Sequence, residues 1–406
     1  MSADAARPLA ITGRVLIDRA IVDDGVVLVL GQQIVAAGQR DGLDIPPDAR
    51  RLDMPDRIIS PGFIDLHIHG SGGCYAEDDP IGMARHVASG GCTYLLPTLM
   101  TNELLAMVES AAKIQASSGP VDGGATIGGV HLEGPFLNPR YGAQRPDFVL
   151  DARPEAVEML IQASGEALAM VTIAPEQPGA IEGIRQFAAA GALVSLGHSD
   201  ATPADYSAAR SAGATHVTHL FNAMEPRQPT EAQGYDGTRR VGLEELALID
   251  DDLTADIVCD SACAHVNEAL VKLALRCKGE AKLSLITDAM FAAGLEPGDH
   301  QMSDGQELVT TADEDVARLA GGWLCGSVMS MSSAVRNVAA VASVPVETAL
   351  VMATEAPARA VGIFASKGSL APGKDADITV LDSHGNVEHT LVGGRLVYST
   401  EPEALR

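Results

Sequence analysis

One pattern constrains this chain more than any other. Short apolar, strand-like runs alternate with alanine-rich amphipathic stretches through the middle of the sequence. The runs include ATIGGVHLEG, AMVTIAPE, ALVSLGHSD, ATHVTHLFNAM, TADIVCD and KLSLITDAM. Between them lie PEAVEMLIQASGEA, IEGIRQFAAAG, PADYSAARSAG and HVNEALVKLALRCKG. Strand then helix, repeated about eight times over roughly 300 residues, is the pattern of a (β/α)8 TIM barrel. An open doubly wound sheet alternates similarly, but no GxGxxG follows a first strand, which weakens a dinucleotide-binding alternative. Nearly every run also ends in polar chemistry: His67 and His69, Glu133, Glu176, His198, His219, Asp260 and Asp288. In a barrel these C-terminal edges converge on one face, where active sites lie.

The two ends of the chain have a different texture. ITGRVLI, GVVLVL and QIVAAGQ near the start, and ADITVLD, HTLVGG and RLVYST near the finish, are β-branched runs punctuated by glycine. At 406 residues the chain exceeds a single core, so one large domain and one small β-domain built from both termini are expected. Tryptophan, tyrosine and phenylalanine total only 14, so alanine, valine, leucine and isoleucine must do most of the packing.

A formal net charge of −26 argues against a nucleic-acid or anionic-membrane partner, since no local basic patch offsets it. It also means that an anionic substrate needs its own local cations. The six cysteines, Cys74, Cys92, Cys259, Cys263, Cys277 and Cys325, are scattered without a CxxC pair, as in a protein with reduced thiols. No signal-peptide pattern opens the sequence and no apolar stretch reaches the length of a membrane span, so a cytoplasmic location is expected.

PGFIDLHIHGSGG places His67 and His69 at i and i+2, on one face of a strand, where two neutral imidazoles can grip one divalent metal. Alone, the pair reads equally as two polar residues on a half-buried strand. Glu133, His198 in GHSDAT and His219 in THLFNAM add a two-histidine, one-carboxylate set from successive strands. Such a set leaves coordination positions open for water and substrate. Asp288, in LITDAM, is placed to take and return a proton beside such a centre; the alternative is a helix N-cap. His216 reads as a supporting residue, His86 as surface or interface, and Cys263 as a buried inert thiol.

These motifs, with TYLLPTLMT, GGVHLEGPFLNP, SMSSAVRNV and the tail TEAPARAVGIFASKGSLAPGKDADITVLD, resemble in order the N-acetylglucosamine-6-phosphate deacetylase family of the amidohydrolase superfamily. The resemblance runs nearly end to end. It implies a metal-dependent barrel over residues 59–365 and a small β-sandwich from residues 1–58 and 366–406. It maps Glu133, His198 and His219 onto the principal metal site, His67 and His69 onto the pair that supports a second metal in some members, and Asp288 onto the acid/base. Asn222 and Ala223 map onto substrate contacts. One or two divalent ions per chain are implied, zinc first and iron or another ion as alternatives. A homodimer is the family expectation.

Three segments depart from the family. YGAQRP puts Gln144 where a histidine is usual. EPRQPTEAQGYDGTRRVGLEEL carries an insertion that leaves Arg239 and Arg240 to serve as the phosphate-binding cations. CDSACAHV leaves Cys263 or His265 at a family histidine, with His265 favoured. All three fall on substrate-binding parts. The leading expectation is therefore hydrolysis of the N-acetyl group of an amino-sugar phosphate, N-acetylglucosamine 6-phosphate first. A sibling enzyme acting on another N-acyl amine is the runner-up, and a non-catalytic barrel, which should have lost its ligands, comes last.

Overall fold

The computed structural model describes residues 7–226, 240–303 and 305–401. Eight parallel strands form the barrel: Phe63–Ile68, Cys92–Leu99, Val130–Glu133, Leu168–Ile173, Leu193–Leu196, His216–Val217, Thr254–Val258 and Leu283–Ile286, each beside the next. The eighth meets the first through a bridge from Ile68 to Ala289, and the Asp288 amide donates to the His67 carbonyl at 2.9 Å. The alternation that predicted a barrel is thus realised strand by strand.

The helices follow their sequence signals. Pro154–Ser164 begins on a proline, stops at Gly165 and buries Ala156, Val157 and Leu160 against the barrel's outer core. Pro203–Ala212 is started by a capping box between Thr202 and Asp205. Inside the barrel, Ile64, Leu66, Tyr94, Leu96, Met170, Val258 and Ile286 make an apolar plug, with Ile363 and Phe364 packed on it.

Both termini join one seven-stranded sheet, in the order Arg395–Ser399, Val387–Val392, Ile378–Leu381, Arg50–Pro61, Leu9–Ile17, Ala20–Leu30, Gln33–Gln39. The long strand Arg50–Pro61 holds it together. Its first half pairs in parallel with Leu9–Gly13, the register shifts by several residues, and its end pairs antiparallel with Ile378–Leu381. Leu9, Ile11, Val27 and Ile59 from one half share an apolar cluster with Ile378, Val380 and Leu391 from the other.

One element was not foreseen. After the eighth strand, Asp299–Gln301, Glu307–Thr310, Val316–Leu319 and Leu324–Ser327 form a four-stranded antiparallel sheet. Its strands are three or four residues long, too short for a period of two to register. It delivers Leu324, Cys325 and Gly326 to the mouth of the barrel.

Candidate metal centre and active site

A hydrogen-bonded polar layer lies among the barrel strands. His131 Nδ1 donates to the Leu66 carbonyl at 3.0 Å, and its Nε2 meets Thr172 Oγ1 at 2.8 Å. Thr172 continues to Thr218 at 2.7 Å and Thr218 to Ser195. The His67 ring sits edge-on to His131, 4.8 Å between centroids. His131 is fully buried, and burial holds it well below the usual imidazole range, so it stays neutral.

The strand ends then bring five side chains together. His198 and His219 approach Glu133 Oε1 through Nε2 at 2.9 and 3.2 Å. His67 Nε2 lies 3.4 Å from the same oxygen, and His69 Nε2 lies 3.4 Å from Glu133 Oε2. Two groups result, His67–His69–Glu133 and Glu133–His198–His219, all buried, with ligand atoms within 4.8 Å of one another. Glu133 belongs to both.

The tautomers show what these groups fit. Nδ1 of His69, His198 and His219 each donates to a backbone carbonyl, of Thr98, Tyr141 and Asn222, at 3.0–3.1 Å. A carbonyl only accepts, so each Nδ1 carries hydrogen and each neutral ring presents a bare lone pair at Nε2. Yet His198 Nε2 and His219 Nε2 are 3.0 Å apart, and His67 and His69 Nε2 are 3.1 Å apart. Lone pairs at that separation repel unless a cation or a proton lies between them. The donor set fits one or two divalent ions.

The electrostatics agree. Burial pulls His69 and His219 down, but hydrogen bonds to Asp288 and Glu133 outweigh it and push both up to about 9 in the protein alone. Burial prevails at His67, which falls to about 4. Burial would raise the Glu133 carboxyl, but His67, His198 and His219 hold it well below the usual range. A divalent cation would take the place of the protons that this cluster otherwise attracts.

Asp288 Oδ1 stands 3.2 Å from His69 Nε2 and 3.6 Å from His67 Nε2. Burial raises its carboxyl, yet these imidazoles hold it at about 2, so it faces the cluster as a carboxylate. No described helix begins there, so it is not a helix cap. His198, His219 and Asp288 all adopt left-handed backbone, with φ of 49°, 32° and 49°. Strained backbone of this kind concentrates at functional sites.

Residues 58–397 match the amidohydrolase family. The chain belongs to that family. It is 31% identical over 385 residues to the N-acetylglucosamine-6-phosphate deacetylase of Lysinibacillus sphaericus, covering 93% of this chain and 92% of that protein. It is equally 31% identical to the N-acetylgalactosamine-6-phosphate deacetylase of Escherichia coli O157:H7, over 92% of this chain and 93% of that one. Among solved structures, a mutant N-acetyl-D-glucosamine-6-phosphate deacetylase from Mycobacterium smegmatis in complex with N-acetyl-D-glucosamine-6-phosphate superposes with a TM-score of 0.84. The two are 30% identical, with 97% of this chain and 100% of that one covered.

The departures in this amidohydrolase take definite places. His265 lines the cavity over the cluster, with Nδ1 fixed by Asp260 at 3.0 Å and a buried Nε2 that has no partner; Cys263 does not line it. Asn222 lines the same cavity. Ala223 does not; its carbonyl accepts from Ser199 and its backbone is left-handed. Gln144 lines the cavity, but its amide nitrogen donates to the Tyr141 carbonyl, so only part of its donor capacity faces a substrate. Arg240 is half-buried and absent from the lining, and Arg239 lies outside the described residues.

Several supports were missed by sequence reasoning. Asp65 Oδ2 accepts from Thr287 Oγ1 at 2.6 Å, and its Oδ1 accepts from the amides of His67 and Thr287 at 3.3 Å, clipping the first strand to the eighth. Burial pushes that carboxyl up to about 7. Asp256 accepts from the His219 amide and pairs with His216 at 3.1 Å, so His216 supports the site as its spacing implied. His86 is half-buried. It is bonded to Ser71 Oγ at 2.8 Å, and its ring is in close contact with both Gly72 and Gly294.

Gly142 sits against this cluster. Its φ is +99°, and an added Cβ would lie 2.4 Å from the His198 ring and 2.2 Å from Gln144 Oε1. Gly142→Ala is therefore expected to displace His198 and weaken metal affinity by roughly 10–100-fold, the scale seen when a ligand loses its outer support. Competition against a chromophoric chelator measures this; unchanged affinity would mean the loop yields instead of the ligand.

Proposed function

We propose that this chain hydrolyses the N-acetyl group of a hexosamine 6-phosphate, with N-acetylglucosamine 6-phosphate the first substrate to test and zinc the first ion. The observation that carries this is the convergence of His67, His69, His198 and His219 on the shared Glu133, with Asp288 facing them. The full-length likeness to deacetylases of two epimeric sugar phosphates supports the substrate class.

Glu133, His198 and His219 would hold the principal ion, and His67 and His69 with Glu133 a second. When bound, a divalent cation supplies Lewis acidity toward the amide carbonyl and acidifies water. Asp288, ionised and within reach, takes the proton from the attacking water and returns it to the departing amine. His265 Nε2, held by Asp260 through the other ring nitrogen, offers a hydrogen bond to the sugar. Asn222 aligns the amide from the same side. Arg239 and Arg240 supply the phosphoryl end with cations in an acidic protein. Homodimerisation and a cytoplasmic location belong to the same proposal; no described helix is long and apolar enough to cross a membrane.

The test is metal-replete kinetics on N-acetylglucosamine 6-phosphate, its galacto epimer and unphosphorylated N-acetylglucosamine, with free amine as readout. A kcat/KM of about 10⁴ M⁻¹s⁻¹ or more on a phosphorylated sugar, lost after chelation with the circular dichroism unchanged and restored by zinc, is expected. Negligible turnover of all three with metal bound would favour another N-acyl amine. Gln144 and the rebuilt segment before Gly242 are what give that second reading weight.

A further inference from the structure

The cavity over the metal cluster has a neighbour. A second chamber, with about 40 Å³ of water-accessible space, shares His69, Met100, Gln144 and Met290 with it. Beyond them its apolar wall is Tyr75, Phe148 and Met302. Tyr75 is stacked on Phe291, 4.4 Å between rings, which stiffens that side.

A substrate amide has two ends. Asn222 and His265 line the first cavity and not the second, so the sugar end lies on the side of His198 and His219. The acyl end then faces His69 and the shared methionines. We propose that the second chamber is an acyl subsite, and that this enzyme removes N-acyl groups longer than acetyl as well as acetyl itself. The inference rests on the deacylase reading above.

Size and chemistry both support it. One water needs about 10–15 Å³ of such space, so the chamber takes about three or four heavy atoms beyond the acetyl methyl. Met100, Met290 and Met302 are unbranched and polarizable, suited to tails of varying shape. The phosphoryl end does not belong here. Glu77 lines the chamber and would repel a dianion. Arg145 also lines it, but its guanidinium lies over the Phe148 ring at 4.6 Å and is 3.6 Å from Asp147.

The experiment compares N-acetyl, N-propionyl and N-butyryl glucosamine 6-phosphate on the metal-replete enzyme. Where no room exists, one methylene costs about 10–200-fold. With the chamber in use, the propionyl and butyryl substrates should fall within about tenfold of acetyl in kcat/KM. Met302, buried and absent from the first cavity, gives the control. Met302→Trp should lower the two longer substrates by about tenfold or more and leave acetyl within about twofold. Should the tryptophan variant fail to fold, Met302→Ala should raise butyryl turnover relative to acetyl. Longer substrates about 100-fold or more below acetyl in the native enzyme, or variants that shift all three equally, would overturn the acyl subsite alone. No turnover of any of the three would overturn the hexosamine 6-phosphate reading and the subsite with it.

Discussion

Glu133→Ala is expected to abolish metal binding and turnover together. Glu133 is the one side chain common to both ligand groups, with Oε1 near three imidazoles and Oε2 near the fourth. Without it, two pairs of histidines face one another with lone pairs about 3 Å apart and no anion to balance a cation. Bound metal measured by atomic emission should fall from one or two ions per chain to near zero, and kcat/KM by about 10⁴-fold or more, since the cation supplies several kcal/mol of charge stabilisation. A variant that retains full metal would show that the histidines alone hold it.

Asp288→Asn separates chemistry from binding. The amide can neither take the proton of the attacking water nor return it to the amine, so kcat should fall by about 10²–10⁴-fold, the range for a general acid/base. Asp288 belongs to neither ligand group, and KM and metal content should change little. The rate should also cease to depend on a group titrating at acid pH. The carboxyl sits at about 2 in the protein, so the native enzyme keeps its base ionised throughout the physiological range. Loss of metal in parallel with rate would instead mark Asp288 as a ligand.

Much of this was legible because polar residues at the ends of apolar runs are conspicuous. His67, His69, Glu133, His198, His219 and Asp288 each break a hydrophobic pattern at the same point of the repeat. Their supports do not. Asp65, His131 and Asp256 lie within strands, and their partners, Thr287, Thr172 and His219, come from other turns of the barrel. His131 still left a signal, two residues before Glu133 on the same strand. The helix that carries His86 is eight residues long and gives little periodicity from which to place that ring. The contact of its ring with two glycines of positive φ, Gly72 and Gly294, is visible only in three dimensions. The short sheet over 299–327 carries so few residues per strand that neither period nor propensity marks it.

The pairing of Ile378–Leu381 with the end of Arg50–Pro61 also dictates an order of events at the ribosome. Strands separated by more than 300 residues must meet before the small sheet is whole. At about 5–20 residues per second, the late strands emerge roughly 15 to 60 seconds after their partner. Meanwhile that partner, which leads directly into the first barrel strand, offers an unpaired edge to any chain nearby. Ile378–Leu381, made more than 300 residues later, is the segment that covers it.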